Sequence, residues 1–227
     1  MRRSLINSSI DWAIELLRKS GIRLPDFAYF TPDQWKEDKM EWNTIKKTMM
    51  GWDVTDFCGN DFNNTGAVLF TVRNGNFYDK SMGTPYAEKY IMLRPGQALP
   101  MHMHKTKTED IINRSGGSFI IRLFGAQEDG SIDYTGDVQV ICDGVEQTVK
   151  AGTELEITHG NSITLKPYLY HSFWAKEGYG PVMVGEVSQC NDDNADNRFY
   201  EPLGRFPEIE EDETPIRLLC NEYPAVR

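Results

Sequence analysis

The chain's 227 residues carry 34 Asp and Glu against 24 Lys and Arg, and this formal net charge of -10 argues against nucleic acid or an anionic membrane as partner. Hydrophobic residues make up 40% and aromatic residues 11%, enough for one packed domain with appendages. No run approaches a membrane span and the N-terminus lacks a signal-type apolar stretch, so a soluble, cytoplasmic protein is expected.

The first predicted element is an amphipathic helix with Ile10, Ala13, Ile14 and Leu17 at helical spacing, Ser8 or Ser9 as its cap and Gly21 as its stop. Thr31-Pro32-Asp33-Gln34-Trp35 predicts a second start, with Thr31 as N-cap and Pro32 in the first helical position. Trp35, Trp42 and Met49 or Met50 then form a packing stripe, and residues 1–66 as a whole are expected to be a helical extension. From Ala67 the texture changes. Strands are predicted over 67–73, 87–93, 119–124, 138–142, 146–149, 154–157, 162–165, 171–175 and 182–188, the regular spacing of a sandwich or barrel. Asn74-Gly75, Asp129-Gly130 and Asp143-Gly144 are turn dipeptides, the last between two strands and hence a hairpin. Residues 208–227 form an acidic tail, expected to be solvated. Cys58, Cys142, Cys190 and Cys220 have no close pair, the pattern of reduced structural thiols.

Chemistry concentrates between Gly96 and Gly117, which holds two of the chain's 4 histidines. His102 and His104, two apart on a strand, aim both imidazoles at one face, and Glu109 can add a carboxylate oxygen from a neighbouring turn or strand. A further histidine is required. His171 lies in a Pro-to-His turn running into an aromatic strand, and His159 in a polar turn.

The order Gly, five residues, His-x-His, four residues, Glu, six residues, Gly116 resembles the first motif of the cupin superfamily without a gap. Pro167 to His171 resembles its second motif, one residue shorter and without the intervening glycine. The resemblance selects His171 as the fourth ligand beside His102, His104 and Glu109, leaves His159 as a surface residue, and implies an all-β fold: a cupin jelly-roll β-barrel over 67–207 with the N-terminal α-helical extension packed outside. Three imidazoles and a carboxylate leave open positions on a divalent ion, suited to Lewis-acid or oxygen chemistry with manganese, iron, cobalt, nickel or zinc.

Three charged residues interrupt the apolar pattern. Glu186, in Pro181-Val-Met-Val-Gly-Glu-Val-Ser188, is costly to bury without a partner or a task and is a candidate general base. Lys89 opens the strand that leads to the metal motif, and Arg205 can cap the barrel mouth.

Lys89, thirteen residues before His102, the Pro95-Gly96-Gln97 turn, the Glu186 strand with its Ser-Gln-Cys-Asn-Asp-Asp-Asn-Ala-Asp196 continuation, and Arg205 are together similar to the cupin-type D-lyxose isomerases over residues 67 to 207. This resemblance implies a manganese-dependent aldose–ketose isomerase that interconverts D-lyxose with D-xylulose and D-mannose with D-fructose. It implies Glu186 moving a proton through a cis-enediol, with Lys89 and the metal holding the oxygen, Asp193 and Arg205 orienting sugar hydroxyls, and Lys107 or Trp174 at the mouth. It further implies a homodimer with a small-molecule sugar as its substrate. The competing classes are a cupin oxidase or dioxygenase, a sugar-phosphate isomerase using Arg94, Lys105 and Lys107, and a non-catalytic sugar-binding cupin.

Overall fold

The computed structural model describes residues 1–37, 39–190 and 196–226. Three helices come first: α1 (Arg3–Lys19), α2 (Pro32–Lys36) and α3 (Asn43–Lys47). The strands that follow are β1 (Gly51–Thr55), β2 (Ala67–Gly75), β3 (Gly83–Leu93), β4 (His102–His104), β5 (Glu109–Gly116), β6 (Phe119–Ala126), β7 (Ile132–Asp133), β8 (Asp137–Cys142), β9 (Val145–Lys150), β10 (Glu154–Ile157), β11 (Ser162–Leu165), β12 (Leu169–Ala175), β13 (Val182–Gln189) and β14 (Asn197–Phe199). They form two antiparallel sheets, ordered β1-β2-β3-β13-β5-β11-β8-β9 and β10-β6-β12-β4-β14, with β7 also paired to β6 in the second. This is the jelly-roll expected, and all nine predicted strands are present.

Alternation along each strand decides what faces where. Ile91, Leu93, Ile111, Val182 and Val184 of the larger sheet meet Phe119, Ile121, Leu123, Leu169 and Phe173 of the smaller one in a single core. The larger sheet's other face presents Trp52, Val54, Val68, Phe70, Met92 and Met183, and Ile6, Ile10, Ala13 and Leu17 of α1 cover it. A fully buried aliphatic or aromatic side chain contributes about 1.5–3 kcal/mol, so this face binds α1 firmly to the barrel. The Asp143-Gly144 hairpin forms as predicted, with φ of 50° and 81°, joining Cys142 and Val145 as directly paired residues. Thr31 caps α2 in a reciprocal box with Gln34, and Pro32 follows it. Trp35 is buried, with Trp42 and Tyr223 against its ring.

Four expectations are corrected. The segment before Ala67 is not only helical, because β1 lies within it and forms the sheet edge next to β2. Ser8 and Ser9 are inside α1, which starts at Arg3 without a side-chain cap. Ser9 is buried there and its hydroxyl accepts from Arg94 Nη2 at 3.3 Å. Asn74-Gly75 ends a strand instead of turning the chain: Gly75 pairs with Gly83, and a Cβ on Gly75 would lie 1.9 Å from the Thr84 carbonyl oxygen. Finally, the acidic tail folds back onto α1. Arg3, 1% exposed, donates to Glu211 Oε1 at 2.7 Å and to Glu222 Oε2 at 3.0 Å. Ser4 Oγ donates to Asp212 Oδ2 at 2.7 Å and Asn7 Nδ2 to Glu213 Oε2 at 3.0 Å. A run of carboxylates thus satisfies a buried guanidinium and the first turn of the helix.

Breaking a buried ion pair by removing one partner costs about 3 kcal/mol at the low end, the end that fits here because Glu211 is half exposed. Arg3→Ala should therefore lower the melting temperature by roughly 6–12 °C, measured by calorimetry, while activity below the transition persists.

Candidate metal centre and active site

The chain enters the site through Arg94-Pro95-Gly96-Gln97, where Gln97 N–H donates to the Arg94 carbonyl at 2.9 Å and Gly96 takes φ +77°. Proline followed by a residue with positive φ is the type II turn pattern. The other framing glycine, Gly116, has φ +90°, and a Cβ there would lie 2.2 Å from the Pro181 carbonyl oxygen.

His102 and His104 project from β4 to the same side. His171 of β12 is the direct cross-strand partner of His102, and one ring nitrogen from each of the three histidines lies within 4.8 Å of the others. His102 Nδ1 donates to the Pro100 carbonyl at 2.8 Å and His171 Nδ1 to that of Leu169 at 3.0 Å. Those bonds leave Nε2 as the lone-pair nitrogen of both rings, and the buried His171 Nε2 makes no hydrogen bond. A buried imidazole lone pair beside two other imidazoles fits a divalent metal.

Glu109 approaches from the opposite sheet. Its Oε1 lies 3.1 Å from His104 Nε2 and 3.2 Å from His171 Nε2, and its Oε2 lies 2.8 Å from Lys107 Nζ. Burial works against charge on Glu109, but the His104 ring and the Lys107 ammonium beside it outweigh that and hold the carboxyl well below its usual 4.5. Burial, reinforced by His171 and His104, holds the His102 imidazole well below 6.5. The site is thus prepared with an ionised carboxylate and a neutral imidazole, the forms a metal requires.

Beyond Glu109 lies a second carboxylate. Glu186 of β13, paired with Lys89 of β3, receives Lys89 Nζ at 3.1 Å, Lys107 Nζ at 3.2 Å and Ser188 Oγ at 3.0 Å, all on Oε1. Lys89, Lys107, Glu186 and Arg205 line, with the three histidines and Glu109, a cavity that is partly open to solvent and is otherwise walled by residues such as Phe57, Ile91, Leu99, Phe173 and Phe199.

The structure therefore brings His102, His104, His171, Glu109, Lys89, Glu186 and Arg205 together. Lys107 is at the cavity but not at its mouth: it is 3% exposed and bridges the two carboxylates. Trp174 is not a cavity residue, because alternation along β12 points His171 and Phe173 inward and turns Trp174 outward, under the guanidinium of Arg122 at 5.5 Å. Asp193 lies outside the described residues. His159 is exposed, its Nε2 3.0 Å from the Arg114 carbonyl. Asp53 and Thr55 of β1 also line the cavity and were missed. The signal was present in Gly51-Trp-Asp-Val-Thr55, a lone carboxylate in an apolar strand, as for Glu186.

Residues 1–223 match the D-lyxose isomerase family. The chain belongs to that family. A D-lyxose/D-mannose isomerase of Serratia proteamaculans is 45% identical over 224 residues, covering 98% of both chains. Another, of Escherichia coli O157:H7, is 43% identical over 228 residues and covers 100% of both. The fold is shared with the L-ribose isomerase of Geodermatophilus obscurus (TM-score 0.56, 18% identity, 90% of this chain and 96% of that one). It is shared also with that of Acinetobacter sp. DL28 (TM-score 0.55, 14% identity, the same coverage). As a D-lyxose isomerase family member, the protein is an aldose–ketose sugar isomerase with a three-histidine site for a divalent metal.

Loss of one ligand should exceed the about 10–100-fold cost of disturbing a ligand's support, so His102→Asn should weaken metal binding more than about 100-fold by calorimetric titration. In metal-free protein, the unfolded chain takes up a proton on His102 near 6.5 and on Glu109 near 4.5 that the folded chain refuses. Stability is therefore fully present above pH 6.5 and is lost as pH falls, more steeply below 4.5. Melting of chelator-treated protein should show this slope, and His102→Asn should flatten its upper part.

Proposed function

We propose that the protein interconverts D-lyxose with D-xylulose and D-mannose with D-fructose, using manganese(II) held by His102, His104, His171 and Glu109. The observation that carries this reading is that the Glu186 carboxylate lines the same cavity as the three-histidine cluster, joined through Lys107 to Glu109 and paired with Lys89. Relatives that match the whole chain at 43% identity and above carry the name D-lyxose/D-mannose isomerase. The homodimer and the cytoplasmic location belong to the same reading.

Moving a carbonyl from C1 to C2 requires a proton to pass between adjacent carbons and the charge that grows on oxygen to be held. The metal supplies a Lewis acid at that oxygen. Glu186 takes the proton from C2 and returns it to C1 of a cis-enediol, contributing about 10²–10⁴-fold. Lys89 and Lys107 place two amino groups against that carboxylate, where they orient it and can donate to the developing oxyanion. The apolar wall of Phe57, Leu99, Phe173 and Phe199 limits water around the enediol. Arg205, held at β1 by Asp53 at 3.0 Å, orients the sugar and takes no part in proton transfer.

A sugar-phosphate substrate is less well served. Arg94 is stacked near the rings of Trp12 and Phe62, at 4.9 and 5.6 Å, beside α1, and Lys107 is committed to two carboxylates.

Chelator-stripped protein should isomerise D-lyxose only after manganese(II) is restored, with deuterium from heavy water appearing on carbon. Glu186→Gln should lower kcat by about 10²–10⁴-fold with little change in metal affinity. Turnover with no deuterium uptake in either direction would replace the proton route with a hydride shift, and no turnover of lyxose or mannose with any divalent metal would refute the sugar specificity.

A further inference from the structure

The part of the cavity that lies away from the metal is built by β1, and it holds a charge pair. Asp53 is 1% exposed on a strand whose neighbours Trp52 and Val54 are fully packed under α1. A carboxylate in such a wall is costly unless it is paired. Its Oδ2 accepts from Arg205 Nε at 3.0 Å, while the Arg205 side chain keeps 24% of its surface open. Two residues further on, Thr55 Oγ1 donates to the Arg205 carbonyl at 2.5 Å and accepts from the Phe57 amide at 2.9 Å. The Phe57 carbonyl in turn accepts from the Gly204 amide at 3.3 Å. Arg205 sits in a segment without regular secondary structure, so these contacts with β1 and the residues just after it set where its guanidinium lies.

Distance separates this pair from the chemistry. Asp53, Leu69, Ile91 and Val184 are register partners across β1, β2, β3 and β13. At about 4.8 Å per strand, Asp53 is roughly 14 Å along the sheet from the strand that carries Glu186, and β5 with Glu109 is one strand further. Arg205 thus enters the cavity from β1, the wall farthest along the sheet from Glu186 and Glu109. A sugar with C1 and C2 between Glu186 and the histidines turns its far hydroxyls toward that wall.

We infer that Asp53 and Thr55 are positioning residues that aim Arg205 at sugar hydroxyls remote from C1 and C2. The inference rests on the sugar-isomerase reading and adds the wall that reads the distal part of the substrate. A guanidinium suits the task because its donors form a fixed fork, and a carboxylate on Nε orients that fork without neutralising its donors. It also gives α1 a part in recognition, since α1 packs on the reverse face of the strand that carries Asp53.

The test is a double-mutant cycle on manganese-loaded protein, with kcat and KM measured for D-lyxose and D-mannose. Asp53→Asn, which keeps size and the acceptor but removes the charge, should raise KM about tenfold and lower kcat far less. Arg205→Lys should do the same, and the double variant should be no worse than Arg205→Lys alone, because Asp53 acts through Arg205. A folded Asp53→Asn enzyme with lower melting temperature and unchanged KM would show that the pair only pins the segment, and would overturn the inference. So would KM effects that multiply in the double variant. Thr55→Val supplies an independent arm if Asp53→Asn does not fold: KM should rise several-fold, and an unchanged KM overturns the inference. Inactivity of the unaltered enzyme on both sugars would fail the functional reading itself, a result distinct from an active enzyme whose KM ignores Asp53.

Discussion

Glu109 joins the two halves of the molecule. It stands on β5 of the larger sheet, yet one of its oxygens faces His104 and His171 of the smaller sheet while the other holds Lys107. Through Lys107 the same network reaches Glu186, and through Glu186 it reaches Lys89. Two buried carboxylates are balanced by two buried ammonium groups, which is what makes so many charges tolerable in an otherwise apolar barrel. At an effective dielectric of about 20, unit charges about 4 Å apart interact by about 4 kcal/mol, so removing any one member leaves the rest poorly compensated. The histidine side and the Glu186 side of the cavity are therefore parts of one electrostatic unit.

Strand alternation turns that unit into a reaction site. His102, His104 and His171 project inward because they occupy one parity of β4 and β12, and Lys89, Glu109 and Glu186 do so on β3, β5 and β13. The intervening residues, among them Met92 and Met183, serve the outer packing against α1. The same backbone geometry supplies both the core under the helix and the polar lining of the lumen.

Much of this was legible in the sequence for a physical reason. Metal-binding histidines must stand at spacings fixed by the strand, so His102 and His104 with Glu109 close behind are recognisable as a candidate site, and a carboxylate in an apolar run such as Glu186 declares a cost that needs explaining. What was not legible depends on contacts distant in sequence. Parity alone removes Trp174 from the cavity, and only the fold shows that Lys107 is sandwiched between carboxylates. Asp53 carried the same signal as Glu186 but lay in a five-residue strand starting with glycine, inside a region rich in helix signals. Arg3 and the tail carboxylates, more than 200 residues apart, each resemble ordinary surface charges until they meet.

The most direct measurement is diffraction at the manganese absorption edge from manganese-soaked crystals, which locates the ion and its donors without reference to turnover. The account predicts one anomalous peak shared by the imidazoles of His102, His104 and His171 and the carboxylate of Glu109, with Glu186 facing it across the cavity and still held by Lys89. An ion bound elsewhere, or at the three histidines with Glu109 turned away to Lys107 alone, would contradict it.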